Sequence, residues 1–203
     1  MRVLVLSNEP RPHGSWHTPA RHAGCLTHWV QMHLGPEEVV IYPWMFVRGY
    51  VMVMEIQTAK RLREILQGNP MWMDETYKVH ILEEEGPMTA KVEELPVEPG
   101  KQRFLIMARL AKPVPPTVDF EGTDKLLAKM REEHGAQVYR LVEDVGGYAI
   151  LVSVTDHDQL RALLEPLPIT TFVNYQILPL GTLEGHKKHL RDLGHNIPFE
   201  APR

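Results

Sequence analysis

A single cysteine, Cys25, stands among 203 residues, so the chain can form no disulfide within itself. That suits a reducing compartment, and a cytoplasmic location is expected. Long hydrophobic runs are missing too. None approaches the roughly 20 apolar residues that cross a bilayer. The start, Met1-Arg2-Val3-Leu4-Val5-Leu6, is stopped by Ser7-Asn8-Glu9 before it becomes a signal-peptide core. Neither a membrane nor a nucleic acid is expected as a partner. The formal net charge is -4 with Lys and Arg scattered, whereas a nucleic-acid surface needs clustered cations to displace counterions. The one dense basic stretch is the short His186-Lys187-Lys188-His189 run. Gly146-Gly147 lacks the context of a phosphate-binding loop, and neither HExxH nor paired CxxC occurs.

Histidine is plentiful, with 11 in the chain. The densest set is His13, His17, His22, Cys25, His28 and His33. His22, Cys25 and His28 step by three, which on a helix fans them across roughly 120°. They cannot all reach one ion without help from the loop, so they read as helix-surface residues; His186, His189 and His195 are equally unspecific. No metal and no cofactor is expected. The methionines Met45, Met52, Met54, Met71 and Met73 read as core packing.

What the sequence does contain is a repeat. Residues 47–57 read VRGYVMVMEIQ and residues 145–155 read VGGYAILVSVT, each passing through Gly-Tyr into an apolar strand. TAKRLREILQGNP (58–70) and DHDQLRALLEPLP (156–168) follow, each opening on a helix N-cap residue, Thr58 or Asp156, with leucines at helical spacing. TYKVHIL (76–82) and FVNYQIL (172–178) then end on the same Ile-Leu pair. Upstream, MRVLVLSNEP matches QRFLIMARLAKP more loosely. A helical stretch after each ends at Gly35 or Gly135, where glycine suits a left-handed cap. Strands start near Val39 and Val138. Each copy therefore reads strand, helix, strand, strand, helix, strand.

The expected organisation is a first ferredoxin-like unit over 1–82, a linker over 83–102, a second unit over 103–180, and a tail over 181–203 with a short helix around 182–193. The linker, EEEGPMTAKVEELPVEPGKQ, is acidic with three prolines and two glycines, a composition that keeps a chain extended.

The segment from Val138 to His186 carries a family likeness. With Tyr139-Arg140-Leu141, Gly147-Tyr148, Asp156, Leu160, Leu163-Leu164, Leu167-Pro168 and Ile177, it resembles the second half of muconolactone isomerase. More broadly it is similar to the dimeric α+β barrel superfamily, single βαββαβ units that dimerise by packing two four-stranded sheets together. The likeness covers both copies as pattern and the second copy as residues. It implies an α+β protein of two tandem ferredoxin-like βαββαβ units, packed sheet to sheet as an intrachain barrel. The superfamily includes isomerases, cofactor-free monooxygenases, haem enzymes and proteins with no known activity.

Strand alternation selects the side chains that would line the space between such sheets. In the first copy these are Lys78 and His80, with Val51, Val53 and Glu55, and an aromatic row of Tyr42, Trp44 and Phe46. In the second they are Asn174 and Gln176, with Ala149, Leu151 and Ser153, and a partly charged row of Arg140, Val142 and Asp144. Tyr77, Val79 and Ile81, and Val173, Tyr175 and Ile177, would pack under the helices. Trp16 and His17, in a loop before a helix capped by Thr18, are placed to close the mouth or to staple the helix start.

A carboxylate and an imidazole beside an aromatic wall suit a small apolar or aromatic organic ligand. Glu55 as general base, with His80 and Lys78 steadying an enolate, would abstract a proton next to a carbonyl, as in isomerising an unsaturated lactone. Solvated strand ends, or a Glu55–Lys78 pair, would explain the same residues. Two other readings remain open: a cofactor-free monooxygenase on a phenolic substrate, shaped by Trp44, Tyr42 and His80, and a binding or assembly module whose interior is filled by its own side chains. Free sheet edges would also permit homo-oligomers.

Overall fold

A computed structural model of the chain describes residues 1–8, 23, 25, 28–29, 39–43, 49–69, 76–84, 94–96, 98–144, 146–194 and 196–197. Trp16, His17, Trp44 and Phe46 lie outside the described residues, as do His13, His22, His33 and His195. The chain is α+β and divides into two compact units. The first comprises Met1–His80, Thr89–Glu93 and Gly181–Arg203; the second comprises Ile81–Met88 and Glu94–Leu180.

The first unit carries strands β1 (Arg2–Asn8), β2 (Val39–Pro43) and β3 (Gly49–Glu55), helix α1 (Ala59–Gly68), and the start of strand β4 (Thr76–Glu84). Ala23, Cys25, His28 and Trp29 are also helical. The strand order is β2-β3-β1-β4, in which β1 and β2 both run antiparallel to β3. This is the ferredoxin-like order. α1 forms because Leu62, Ile65 and Leu66 fall on one face, and because Thr58 Oγ1 accepts from Arg61 N at 3.1 Å. That face packs with Trp29 over Val3, Val5, Val39, Tyr50, Met52 and Met54. Trp29 Nε1 donates to the Ile65 carbonyl at 3.0 Å and fixes the two helical stretches to each other. Where α1 ends, buried Asn69 donates from one amide nitrogen to both Tyr50 and Tyr77 hydroxyls, each at 2.8 Å. The Gly-Tyr landmark thus serves as an anchor: Tyr50 ties a strand to the end of its following helix.

The second unit repeats the order with β5 (Gln102–Leu110), α2 (Phe120–His134), β6 (Gln137–Leu141), β7 (Tyr148–Val154), α3 (His157–Leu164), a 3-10 turn (Thr170–Phe172) and β8 (Val173–Leu180). Its strands run β6-β7-β5-β8, and the last residues of β4 pair with β6 from Leu82 opposite Leu141 to Glu84 opposite Tyr139. α2 buries Thr123, Leu127 and Met130, and α3 buries Leu160 and Leu164; both stripes are helical in period. They cover Phe104, Ile106, Ala108, Val138, Tyr148, Ile150, Val152 and Val173. Gly135 closes α2 at φ 61, the left-handed conformation expected of it, which a β-carbon would make costly. Asp156 opens α3 by accepting from Gln159 N at 2.8 Å.

After β8, Gly181 N donates to the Pro43 carbonyl at 2.9 Å. Helix α4 (Leu183–Asp192), capped by Thr182, then packs against β2 in the first unit. Leu190 joins Ala23 and Ile197 there. Lys187 is buried and ion-paired with Glu184. Cys25 is a buried thiol outside any disulfide. No helix among the described residues is long and apolar enough to cross a membrane.

Two expectations from strand alternation do not hold. Val79, Ile81 and Ile177 do not pack beneath helices; they are 38 %, 41 % and 40 % exposed. On that side of β4 and β8, Tyr77, Val173 and Tyr175, near the starts of the strands, are the described residues that take part in the cores. Arg140 also lies on the helix side of β6, not the opposite one. Val138, two residues before it, is in the core under α2, and Arg140 reaches α2 through Asp124 at 2.8 Å. The residue that corresponds to Tyr42 is Tyr139. Tyr42 pairs with Val51 next to Tyr50, and Tyr139 pairs with Ala149 next to Tyr148. A slip of one residue turns every side chain to the other face.

Two consequences are measurable. Asn69→Ala leaves two tyrosine hydroxyls without their donor and is expected to cost about 2 kcal/mol in urea unfolding. The Gln159 amide, and next the Thr155 hydroxyl, hold the Asp156 carboxyl below the usual carboxylate range. A depressed carboxylate stabilises the fold above its unfolded pKa and loses that contribution as pH falls through the folded value. Asp156→Asn should therefore lower the melting midpoint at pH 7, with the gap to the parent protein closing in acid.

Candidate functional site

In each unit the central strands are buried on both faces, and the face turned away from the helices is where polar groups are informative. In the first unit this face is built by register. Tyr42, Val51 and Leu6 form one row, Val40, Val53 and Leu4 the next, and Glu55 with Arg2 the third. The apolar members are all buried, Tyr42 completely. His80 and Leu82 face the same way from β4, with His80 only 6 % exposed. His80 is thus a buried imidazole on a mostly apolar face, with Tyr42 on the same face about three strand spacings, ~14 Å, away; an apolar lining with few polar groups is the composition of small-molecule sites.

Glu55 lies at the end of this face and is engaged. One carboxylate oxygen accepts from the Met1 amino group at 2.6 Å and the other from Arg2 Nε at 3.3 Å. Arg2 is almost wholly buried, while the Glu55 side chain keeps 27 % exposure. Lys78 is exposed and does not form the cross-strand pair with Glu55 considered above. Strand order separates Glu55 from His80 further. β3 and β4 flank β1, so their backbones lie about two strand spacings, ~10 Å, apart.

In the second unit the corresponding face holds Tyr139, Ala149 and Met107 in one row and Leu151 and Leu105 in the next, all buried. Asn174 and Gln176 project from β8 opposite Arg109 and Met107 and are exposed. Ser153 is buried, and its Oγ donates to the Pro96 carbonyl at 3.2 Å. Beside it, Arg103 Nη1 binds Glu94 at 2.7 Å. The structure therefore brings Tyr42 and His80 to one face of the first unit, and Ser153 to a face of the second that a segment of the linker overlies. Arg2, Arg103 and Glu94 were not singled out from sequence. The available signal was an arginine at the same place in the first strand of each copy.

Among the described residues no group of three or more His, Cys, Asp or Glu side chains has the geometry to hold a metal ion.

No family model matches the sequence, and no curated protein matches it either. Solved structures do. A mutant chlorite dismutase from Candidatus Nitrospira defluvii, in complex with cyanide, is 12 % identical, with 92 % of this chain and 94 % of that one covered at a TM-score of 0.57. A candidate chlorite dismutase is 14 % identical, covering 93 % and 98 % at 0.53. A candidate monooxygenase from Fusobacterium nucleatum is 7 % identical, covering 90 % and 92 % at 0.51. At such identities the likeness is one of fold: the chain has the chlorite dismutase-like α+β fold.

Glu55→Gln removes the counterion of a buried guanidinium. Because the carboxylate is partly exposed, the expected loss is about 1–2 kcal/mol, less than for a fully buried pair, read as a lower urea midpoint with an unchanged slope.

Proposed function

We propose that the protein is a small-molecule monooxygenase of the cofactor-free kind, acting on a phenol or quinol on the apolar face of the first unit. The observation that carries the reading is His80, a buried imidazole set in an apolar sheet face with Tyr42. A phenolic ring suits such a surface because its face packs on aliphatic side chains while its hydroxyl needs one polar partner. His80 would accept the phenolic proton, and the resulting phenolate is electron-rich enough to reduce dioxygen. The stoichiometry closes without another reductant. For a phenol with hydrogen at the position opposite the hydroxyl, that C–H becomes a carbonyl, one oxygen atom enters the product, and the other leaves as water with the two hydrogens lost from the ring and the hydroxyl; in a quinol the same balance holds at a remaining ring C–H. The name of the structurally similar Fusobacterium protein points the same way.

The isomerase reading assigns Glu55 as base, with His80 and Lys78 as electrostatic partners, on an unsaturated lactone. It requires Glu55 to exchange its contacts with Arg2 and the Met1 amino group for substrate. Trp16, His17, Trp44 and Phe46, which lie outside the described residues, belong to the proposed surroundings of the substrate in either case.

The test is oxygen consumption with a panel of phenols, quinols and anthrones, in the presence of a chelator and without added haem. Uptake with matching quinone formation is expected, falling at least tenfold in kcat in His80→Ala and little changed in Glu55→Gln. Uptake that appears only after haem is added would overturn the cofactor-free reading. Lactone isomerisation abolished by Glu55→Gln would favour the isomerase. Absence of both activities would leave a binding or assembly module.

A further inference from the structure

The two units treat one position differently. Arg2 and Arg103 occupy the same place in their sheets. Arg2 pairs with the residue five beyond Tyr50, and Arg103 pairs with the residue five beyond Tyr148. Both arginines are buried, and both point away from the helices. A buried guanidinium must have an anion beside it, since desolvation without one is prohibitively costly. In the first unit the opposed strand residue is Glu55, which supplies the anion directly. In the second it is Ser153, which carries no charge, and the anion arrives from outside the sheet as Glu94.

We propose that Arg103 and Ser153 form a carboxylate-binding site in the second unit, and that the chain's own Glu94–Pro96 segment is its resident occupant. The segment behaves as a tethered ligand. Glu94 presents a carboxylate to Arg103 at 2.7 Å, and Pro96 presents a carbonyl to Ser153 at 3.2 Å. Leu95, between the two anchors, is 2 % exposed. The site is built: the Arg103 side chain keeps 5 % exposure and Ser153 is buried. Its occupant is held lightly at the charged end, because the Glu94 side chain is 51 % exposed and its attraction is screened by solvent. A free carboxylate can take that place, because guanidinium donors match a carboxylate in geometry, while the Ser153 hydroxyl keeps the segment anchored through the Pro96 carbonyl. The ligand class is a small organic monocarboxylate. The site belongs to the second unit and the proposed oxygenase face to the first, and it does not depend on that activity.

Chemical rescue tests this. Glu94→Ala should melt roughly 2–6 °C lower than the parent protein, and hydrogen exchange at the Leu95 amide should rise. Sodium acetate, titrated against sodium chloride at constant ionic strength, should restore the midpoint saturably in Glu94→Ala and leave the parent protein unchanged. Adding Ser153→Ala to Glu94→Ala removes the anchor on the Pro96 carbonyl as well and should lower the midpoint further, with acetate restoring only part of the loss. Rescue by acetate no greater than by chloride would overturn the proposal. So would a Glu94→Ala protein whose midpoint and Leu95 exchange match the parent. If Glu94→Ala does not fold, Glu94→Gln provides the same titration with the segment's shape retained.

Discussion

A strand buried on both faces leaves no place for a charge without a counterion, and this constraint organises both units. β7 is buried along its whole length, and β3 along all but its last residue. Such strands are necessarily apolar throughout, and each polar side chain on them must find a partner within the fold. Tyr50 and Tyr148 do so through Asn69 and Asp124, which fixes helix to strand in each unit. Arg2 and Arg103 do so through Glu55 and Glu94. The tyrosine contacts hold strands to helices, the Arg2–Glu55 pair joins two neighbouring strands, and the Arg103–Glu94 pair holds a strand to the segment before it.

The same constraint explains which features were legible in the sequence. Caps at Thr58 and Asp156, the left-handed Gly135 and the Gly-Tyr strands depend on local chemistry within a few residues, and the structure has them where the sequence indicates. Alternation assigned the inner residues of β3 and β7 correctly, since Val51 and Val53, and Ala149 and Leu151, lie opposite the helix cores. It failed where the answer depended on more distant geometry. How far α1 reaches along β4 decides whether Val79 and Ile81 are covered, and no periodicity encodes that reach. The face of Arg140 turned on an alignment offset of one residue, and short apolar strands tolerate that offset as a pattern although their packing does not.

The candidate site was partly legible for a related reason. His80 stands out as a polar residue at an inner position of an apolar strand, and it is buried there. Glu55 stands out in the same way, but its engagement with Arg2 depends on pairing between strands 53 residues apart in sequence. Glu94 was hidden more completely. It belongs to an acidic, proline-bearing stretch whose composition describes a spacer, and only its contact with Arg103 gives it a different role. The fold is shared with enzymes of other sequence, so chemistry in this chain has to be sought at individual side chains.

The two arginine pairs also differ in the length of chain that must be closed to make them. Arg2 and Glu55 are 53 residues apart, Arg103 and Glu94 only 9. Loop-closure entropy rises by about 0.6 kcal/mol for each doubling of length, so the shorter connection has an advantage of about 1.5 kcal/mol. The second unit can neutralise its guanidinium while the rest of its sheet is still assembling. The first must bring β1 and β3 together before its own is neutralised, which places its ion pair among the late events of folding.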